Sequence, residues 1–281
     1  MKKRYIATAA ALFSIVAAAY AFWQNNGISV SHYTYTCNKV KSDLDGFKIV
    51  HVSDLHGKSF GESNRRLLSY IRREQPDMIV ISGDIADERG NEFVRSEGIN
   101  TAISFVEKAS MIAPVYYAAG NHEYALSLEE QKRLFTGISD AGGVILDNDT
   151  LKFDCGSEKL YISGLSDREA SEGALRRLLA DTSDGLSILI SHRPQFGQNY
   201  AEAGADLTFS GHAHGGQIRL PFFGGLYAPD QGLFPEFTEG IHYFGQSATV
   251  ISRGLGSSRF PVRINNMPEL VVVTLSRSFV D

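Results

Sequence analysis

Phe47-Lys48-Ile49-Val50-His51-Val52-Ser53-Asp54-Leu55-His56 is the stretch that decides how this chain folds. It opens as a short apolar run, of the length and bulk that suit a buried strand, and breaks into polar donors at its carboxyl end. The same form recurs downstream. Residues 77–81 lead into Ser82-Gly83-Asp84, and residues 115–119 into Gly120-Asn121-His122-Glu123. Residues 186–190 lead into Ser191-His192, and residues 206–209 into Gly211-His212-Ala213-His214. Helical stretches lie between them. Leu67, Leu68 and Ile71 mark one face of a helix over 64–75, and Ile99, Ala102, Ile103, Val106 and Ala109 form a second stripe. Ser127-Leu128-Glu129-Glu130 reads as a capping box that starts another helix. Further strands are predicted near 143–147, 159–163, 250–253 and 270–275. A helix is predicted over 169–180 and another after His192. This β-α-β-α order predicts an α/β fold, with a mostly parallel, buried sheet covered by helices. In such sheets ligands sit beyond the carboxyl ends of the strands, where all five donor segments fall.

Composition narrows the function. The chain has 281 residues, 43% of them hydrophobic and 21% charged. That excludes a disordered chain, a collagen and a polytopic membrane protein. A net charge of −5 argues against a partner made of duplex nucleic acid, which would call for a basic face. Two cysteines, Cys37 and Cys155, cannot make a disulfide scaffold or an all-cysteine zinc site. They could form one disulfide or stay unpaired.

The donors are imidazole, carboxylate and carboxamide, without thiolate. That set suits divalent metal ions such as Mn, Zn or Fe. Asp54-x-His56 and His212-x-His214 each place two donors two residues apart, on one face of an extended strand. Alone, each motif is weak; in this order, each at a strand end, they point to one metal site.

These five segments resemble the signature of the calcineurin-like metallophosphoesterase family: Asp-x-His, Gly-Asp, Gly-Asn-His-Asp/Glu, a later His and Gly-His-x-His. The match spans residues 45–276, and Gly215-Gly216-Gln217 and Arg253-Gly254-Leu255-Gly256 further resemble a membrane-linked bacterial branch. The resemblance implies mostly parallel β-sheets in a four-layer α/β/β/α sandwich and a dinuclear metal centre. It assigns Asp54, His56 and His214 to one metal and Asn121, His192 and His212 to the other, with Asp84 bridging. His122 would protonate the leaving oxygen, and Asp87 would orient His122. A bridging hydroxide would attack phosphorus in line. Arg193, next to a ligand, is a candidate contact for substrate phosphate. The implied activity is hydrolysis of a phosphodiester, pyrophosphate or phosphomonoester, with a lipid-linked substrate as one form of it. Some relatives hydrolyse UDP-2,3-diacylglucosamine, a lipid A precursor, which makes that reaction an alternative. A non-catalytic scaffold of the same fold is the alternative of another class. No Gly-x-Ser-x-Gly elbow surrounds Ser53, Ser82 or Ser191. His51 reads as a core residue or a support behind the ligands; His32 and His242 are assigned no role.

The amino terminus reads differently. Lys2, Lys3 and Arg4 precede an uncharged run over residues 5–23. Nineteen helical residues would rise about 28 Å, enough to span a hydrocarbon core. An uncleaved anchor is favoured, with the basic cluster cytoplasmic and the catalytic domain outside. A signal peptide cut after Ala21, and hence secretion, is the alternative. The domain division is then 1–23 as anchor or signal peptide, 24–45 as tether and edge strand, and 46–281 as the catalytic domain. Without Lys2, Lys3 and Arg4, 24 of the 27 basic residues face 32 acidic ones, a balance of −8. Such a domain cannot bind an anionic bilayer by charge alone. The apolar stretch 220–227 reads either as a loop meeting acyl chains or as a packed turn.

Overall fold

A computed structural model of the chain describes residues 2–168, 171–257, 260 and 262–278, without the side chains of residues 2–4, 6, 7, 9 and 10. Helix α1 (Lys2–Asn26) comes first, and only Gly27 and Ile28 separate it from strand β1 (Ser29–Cys37). Then follow β2 (Lys48–Val52), α2 (Arg65–Glu74), β3 (Met78–Ile81), α3 (Glu92–Ser110), β4 (Val115–Tyr117), α4 (Asn121–Ala125), α5 (Leu128–Asp140) and β5 (Gly143–Ile145). The second half carries β6 (Asp149–Cys155), β7 (Glu158–Gly164), α6 (Glu172–Leu178), β8 (Leu186–Ile190), α7 (Gly197–Ala203) and β9 (Leu207–Ser210). Four two-residue strands come next, β10 (Arg219–Leu220), β11 (Gly224–Gly225), β12 (Tyr227–Ala228) and β13 (Gly232–Leu233). Strands β14 (Gly240–Phe244), β15 (Ser247–Ile251) and β16 (Glu269–Arg277) close the fold. Of the helix predicted over 169–180, Glu169 and Ala170 lie outside the described residues.

The larger strands form two six-stranded sheets, ordered β1-β16-β2-β3-β4-β5 and β14-β15-β9-β8-β7-β6. In the first, only the β16–β2 pair is antiparallel; in the second, the two outermost pairs are. The mostly parallel, layered α/β architecture expected from the family resemblance is what is found. The sheets face each other across Ile49, Val80, Leu160, Ile188, Phe209 and Val271, all fully or almost fully buried. Leu67, Ile71, Phe105 and Leu134, from α2, α3 and α5, cover the outside of the first sheet. Leu175 of α6 and Tyr200 of α7 cover the second, around Leu189.

Capping fixes the helix starts. Ser127 Oγ accepts from the Glu130 amide, and Glu130 in turn accepts from the Ser127 amide, as the capping box predicts. Asn91 and Ser171 cap α3 and α6 by accepting from the amides of Val94 and Ala174. Cys37 is buried, Cys155 half-buried, and both are free thiols. Among the described residues, no helix is long and apolar enough to cross a membrane.

Candidate metal centre

The strands deliver the donors to one rim, and the backbone there is held in an unusual state. Asp54, His56, Asp84, His212 and His214 all have positive φ, between 48° and 65°. For residues with a Cβ this conformation costs of order 1–3 kcal/mol each, and it persists only where the surroundings over-determine it. Here they do. Amides of Asp54, His56 and Gly57 donate to carbonyls of Gly83, Asp84 and Ile85. The Leu255 and Gly256 amides donate to Ser53 and Asp54. The loops after β2 and β3 and the 253–256 segment are therefore sewn together. Close approach needs glycine at two points: a Cβ on Gly83 would sit 2.4 Å from the Gly120 nitrogen, and one on Gly211 1.9 Å from Ser53 Oγ.

Three donor groups result: Asp54 with His56 and His214, Asp84 with His192 and His212, and His56 with Asp87 and His122. Within each, the ligand atoms lie within 4.8 Å of one another. His56 Nε2 and His214 Nε2 are 3.3 Å apart, and His212 Nδ1 and His192 Nε2 are 3.2 Å apart. Two nitrogens bound tetrahedrally to one zinc at about 2.05 Å would stand about 3.3 Å apart, so both pairs fit a shared cation. Asp84 Oδ2 lies between the groups, 3.0 Å from His192 Nε2, 3.7 Å from His122 Nε2 and 3.9 Å from His56 Nε2. Asp84 Oδ2 and Asn121 Oδ1 are buried without a hydrogen-bond partner among the described residues. Buried acceptors in that state are costly unless something electropositive meets them. Although burial raises the Asp84 carboxyl, His192, His122 and His56 hold it well below the usual range. Burial pulls His192 down, but Asp84 outweighs it and lifts the imidazole to about 10.

Supporting hydrogen bonds choose the tautomers. His192 Nδ1 donates to the Ser82 carbonyl at 2.7 Å, which leaves Nε2 aimed at Asp84. His212 Nε2 meets Asp230 Oδ2 at 3.0 Å, which frees Nδ1. Behind Asp54 runs a relay: His51 Nε2 donates to Ser82 Oγ, Ser82 to Ser53 Oγ, and Ser53 to Asp54 Oδ2. Burial pushes His51 down to about 3, so it stays neutral. The buried Glu123 accepts from the amides of Asp84, Ala86 and Gly120 and locks the loops after β3 and β4.

The residues expected to act on substrate are also here. His122 Nδ1 is 2.5 Å from Glu88 Oε2 and 3.5 Å from Asp87 Oδ1. Asp87 is nearer to His56 Nδ1, at 3.2 Å, and pairs with Arg89. The nearest carboxylate on His122 is thus Glu88. Against burial, Asp87, Asp84 and Glu88 together raise His122 to about 9. Arg193 lines the cleft, but its guanidinium is turned to Asp167 and Asp230. Sequence reasoning missed Glu88, Asp230 and Asn266, whose Nδ2 donates to the His214 carbonyl, and it quoted Glu123 without assigning it a role. Glu88 adjoins Asp87, and Glu123 completes the Gly-Asn-His-Glu motif, so both had a local signal. Asp230 and Asn266 had none. Asp84, Asn121, His122, Arg193, His212, His214, Tyr227 and Asp230 share a cleft of about 420 Å³.

An α/β scaffold that gathers such donors around one buried carboxylate is that of a metal-dependent hydrolase. The model of the calcineurin-like phosphoesterase family matches residues 47–216, and the chain belongs to that family. It is therefore a metallophosphoesterase, a hydrolase of phosphoester bonds. It is 30% identical to the Bacillus subtilis protein named Uncharacterized metallophosphoesterase YkuE, over 88% of this chain and 85% of that one. It is 24% identical to Phosphodiesterase YaeI of Escherichia coli, over 84% of each chain. A Danio rerio protein named Transmembrane protein with metallophosphoesterase domain is 26% identical, over 76% of this chain and 53% of its own length.

Proposed function

We propose that the chain is a two-metal phosphohydrolase of phosphodiester or pyrophosphate type, acting on a membrane-associated substrate outside the cytoplasm. The observation that supports it best is the fully buried Asp84 Oδ2, which lies 3.0 Å from His192 Nε2 of one donor group and 3.9 Å from His56 Nε2 of another. Asp54, His56 and His214 would hold one divalent cation, and Asn121, His192 and His212 the other, with Asp84 shared. Bound there, Mn, Zn or Fe would neutralise phosphoryl oxygens and acidify a water. His122, its Nδ1 committed to Glu88, presents Nε2 to the cleft and holds a proton for the departing oxygen. Asp87 fixes the His56 ring. Arg193, steadied by two carboxylates, offers its remaining N–H donors at the cleft wall.

A UDP-2,3-diacylglucosamine-like substrate is the second reading. It is favoured by the exposed Phe222 and Phe223, in the segment whose Tyr227 and Asp230 line the cleft. The name of the Danio rerio relative is in keeping with membrane attachment. The test is hydrolysis of bis-p-nitrophenyl phosphate by the full chain in mild detergent with Mn²⁺. Turnover should vanish with chelator and return with metal. Turnover that survives complete removal of metal would overturn the proposal.

A further inference from the structure

We propose that residues 217–234 and helix α1 form a single lipid-binding face onto which the metal cleft opens. The substrate is then an amphiphilic phosphoester reached from a bilayer surface. The hydrolysis this implies rests on the phosphohydrolase reading above; the surface rests on other residues.

The 217–234 segment has the wrong surface for water. Leu220, Phe222, Phe223, Leu233 and Phe234 are all exposed, Phe222 completely. Between residues 220 and 234 the sole charge is Asp230, which is turned inward to Arg193 and His212. The two small hairpins β10–β11 and β12–β13 hold the apolar side chains out. A patch of this kind marks an interaction site.

Helix α1 says what covers it. From Leu12 to Trp23, the large side chains Leu12, Phe13, Ile15, Val16, Tyr20, Phe22 and Trp23 are exposed. At 100° per residue they occupy one half of the helix, and alanines with Ser14 fill the other. No charged face exists between residues 5 and 23. The bulky half is the side that would sink into the apolar layer of a bilayer surface, and the small-residue half need meet no charged partner. At the end of α1, the exposed Arg66 donates to the Asn26 carbonyl, and Lys58 Nζ to those of Asn25 and Leu255, so the uncharged helix ends against two cations.

The two parts are joined. Tyr20 Oη donates to Asn265 Oδ1, and Asn25 exchanges hydrogen bonds with the Arg263 backbone. Asn265 Nδ2 donates to the Arg219 carbonyl, and Ile264 bridges to Ile218 at the start of the segment. Tyr227 and Phe260 belong both to the exposed apolar surface and to the wall of the cleft. Contact of this face with a lipid surface requires no crossing by α1.

The experiment uses the full chain in a Cys155→Ser background, reconstituted with phosphatidylcholine vesicles containing brominated lipid. A fluorophore on Phe223→Cys should be quenched by the lipid. One on Lys41→Cys, beside Glu158 and Gly185 at the amino ends of β7 and β8, should not. Equal quenching at both positions, or none at 223, would overturn the proposal. So would burial of the 223 label that needs no vesicles and grows with protein concentration, which would mean a second copy. A second arm compares Phe222→Asp/Phe223→Asp with the parent. Turnover of hexadecyl p-nitrophenyl phosphate in vesicles should fall about tenfold or more, while that of bis-p-nitrophenyl phosphate in detergent stays unchanged. An equal fall in both rates, or no fall in either, counts against the lipid face. Loss of bis-p-nitrophenyl phosphate turnover in the parent itself would sink the hydrolase reading and leave the quenching result standing.

Discussion

Asp54, His56 and His214 sit on loops braced by the 253–256 segment and, through Asn266, by the end of α1. Asp84, His192 and His212 are braced by Glu123 of α4, by the Ser82 carbonyl after β3 and by Asp230 between β12 and β13. Asn266 Nδ2 donates to the carbonyls of His214 and Gln217, and its own amide donates to Gln24 Oε1. The second group has no such link to the amino terminus among the bonds described. Both halves thus lean on the core, since Ser82 stands behind Asp54 through Ser53 and behind His192 directly, and the first is tied in addition to a helix outside it.

Asp84 is what both halves share, and its removal has the largest expected effect on either. Asp84→Ala takes the carboxylate from between them and should cost about a thousandfold or more in turnover. Metal analysis should show loss at both positions. Retention of one full equivalent would mean that the halves are independent.

His122→Ala should cost about 10²- to 10⁴-fold in turnover and leave the metal content intact if, as proposed, the ring gives a proton to the leaving oxygen; loss of metal would instead make the His56, Asp87 and His122 group a ligand set. Glu88→Gln should cost about tenfold. Its amide keeps the size of the carboxylate but no longer holds the ring by charge. If Asp87→Asn proves the more damaging of the two, the orientation of His122 runs through Asp87 instead.

Much of this was legible. The strand ends at Asp54, Asp84, Asn121, His192 and His212 all announce themselves by an apolar run that breaks into donors. The edge strands β6 and β14 did not. Asp149–Cys155 carries two aspartates and a lysine and is half-exposed, and Gly240–Phe244 is nowhere fully buried. Edges keep polar groups to avoid pairing with other chains, which erases the apolar signal used to find them. The position of β16 between β1 and β2 was hidden too, since pairing over such a separation leaves no local trace. Asp230 and Asn266 support histidines from loops with no periodicity. Their geometry exists only once the chain has folded.

Next in size are the supports that differ between the halves. Asp230→Asn and Asn266→Ala should each weaken metal binding about 10- to 100-fold. Asp230→Asn should act on the His192 and His212 side, and Asn266→Ala on the His214 side. Titration with Mn²⁺ should resolve two steps in the parent, with one step displaced in each variant. Displacement of the same step by both would erase the distinction drawn above.

The smallest expected effect tests the reach of α1. Asn25→Ala removes two bonds to Arg263, one to its carbonyl and one from its amide. Each is worth about 0.5–1.5 kcal/mol, and only part of that is transmitted through Asn266 to His214. The His214 side should lose about three- to tenfold in Mn²⁺ affinity, with turnover restored at saturating metal. A purely structural loss would lower the melting temperature without moving that titration step alone. If the variant titrates like the parent, the end of α1 is a passenger on the domain. If it shifts, the end of α1 is mechanically continuous with the His214 loop through Asn266.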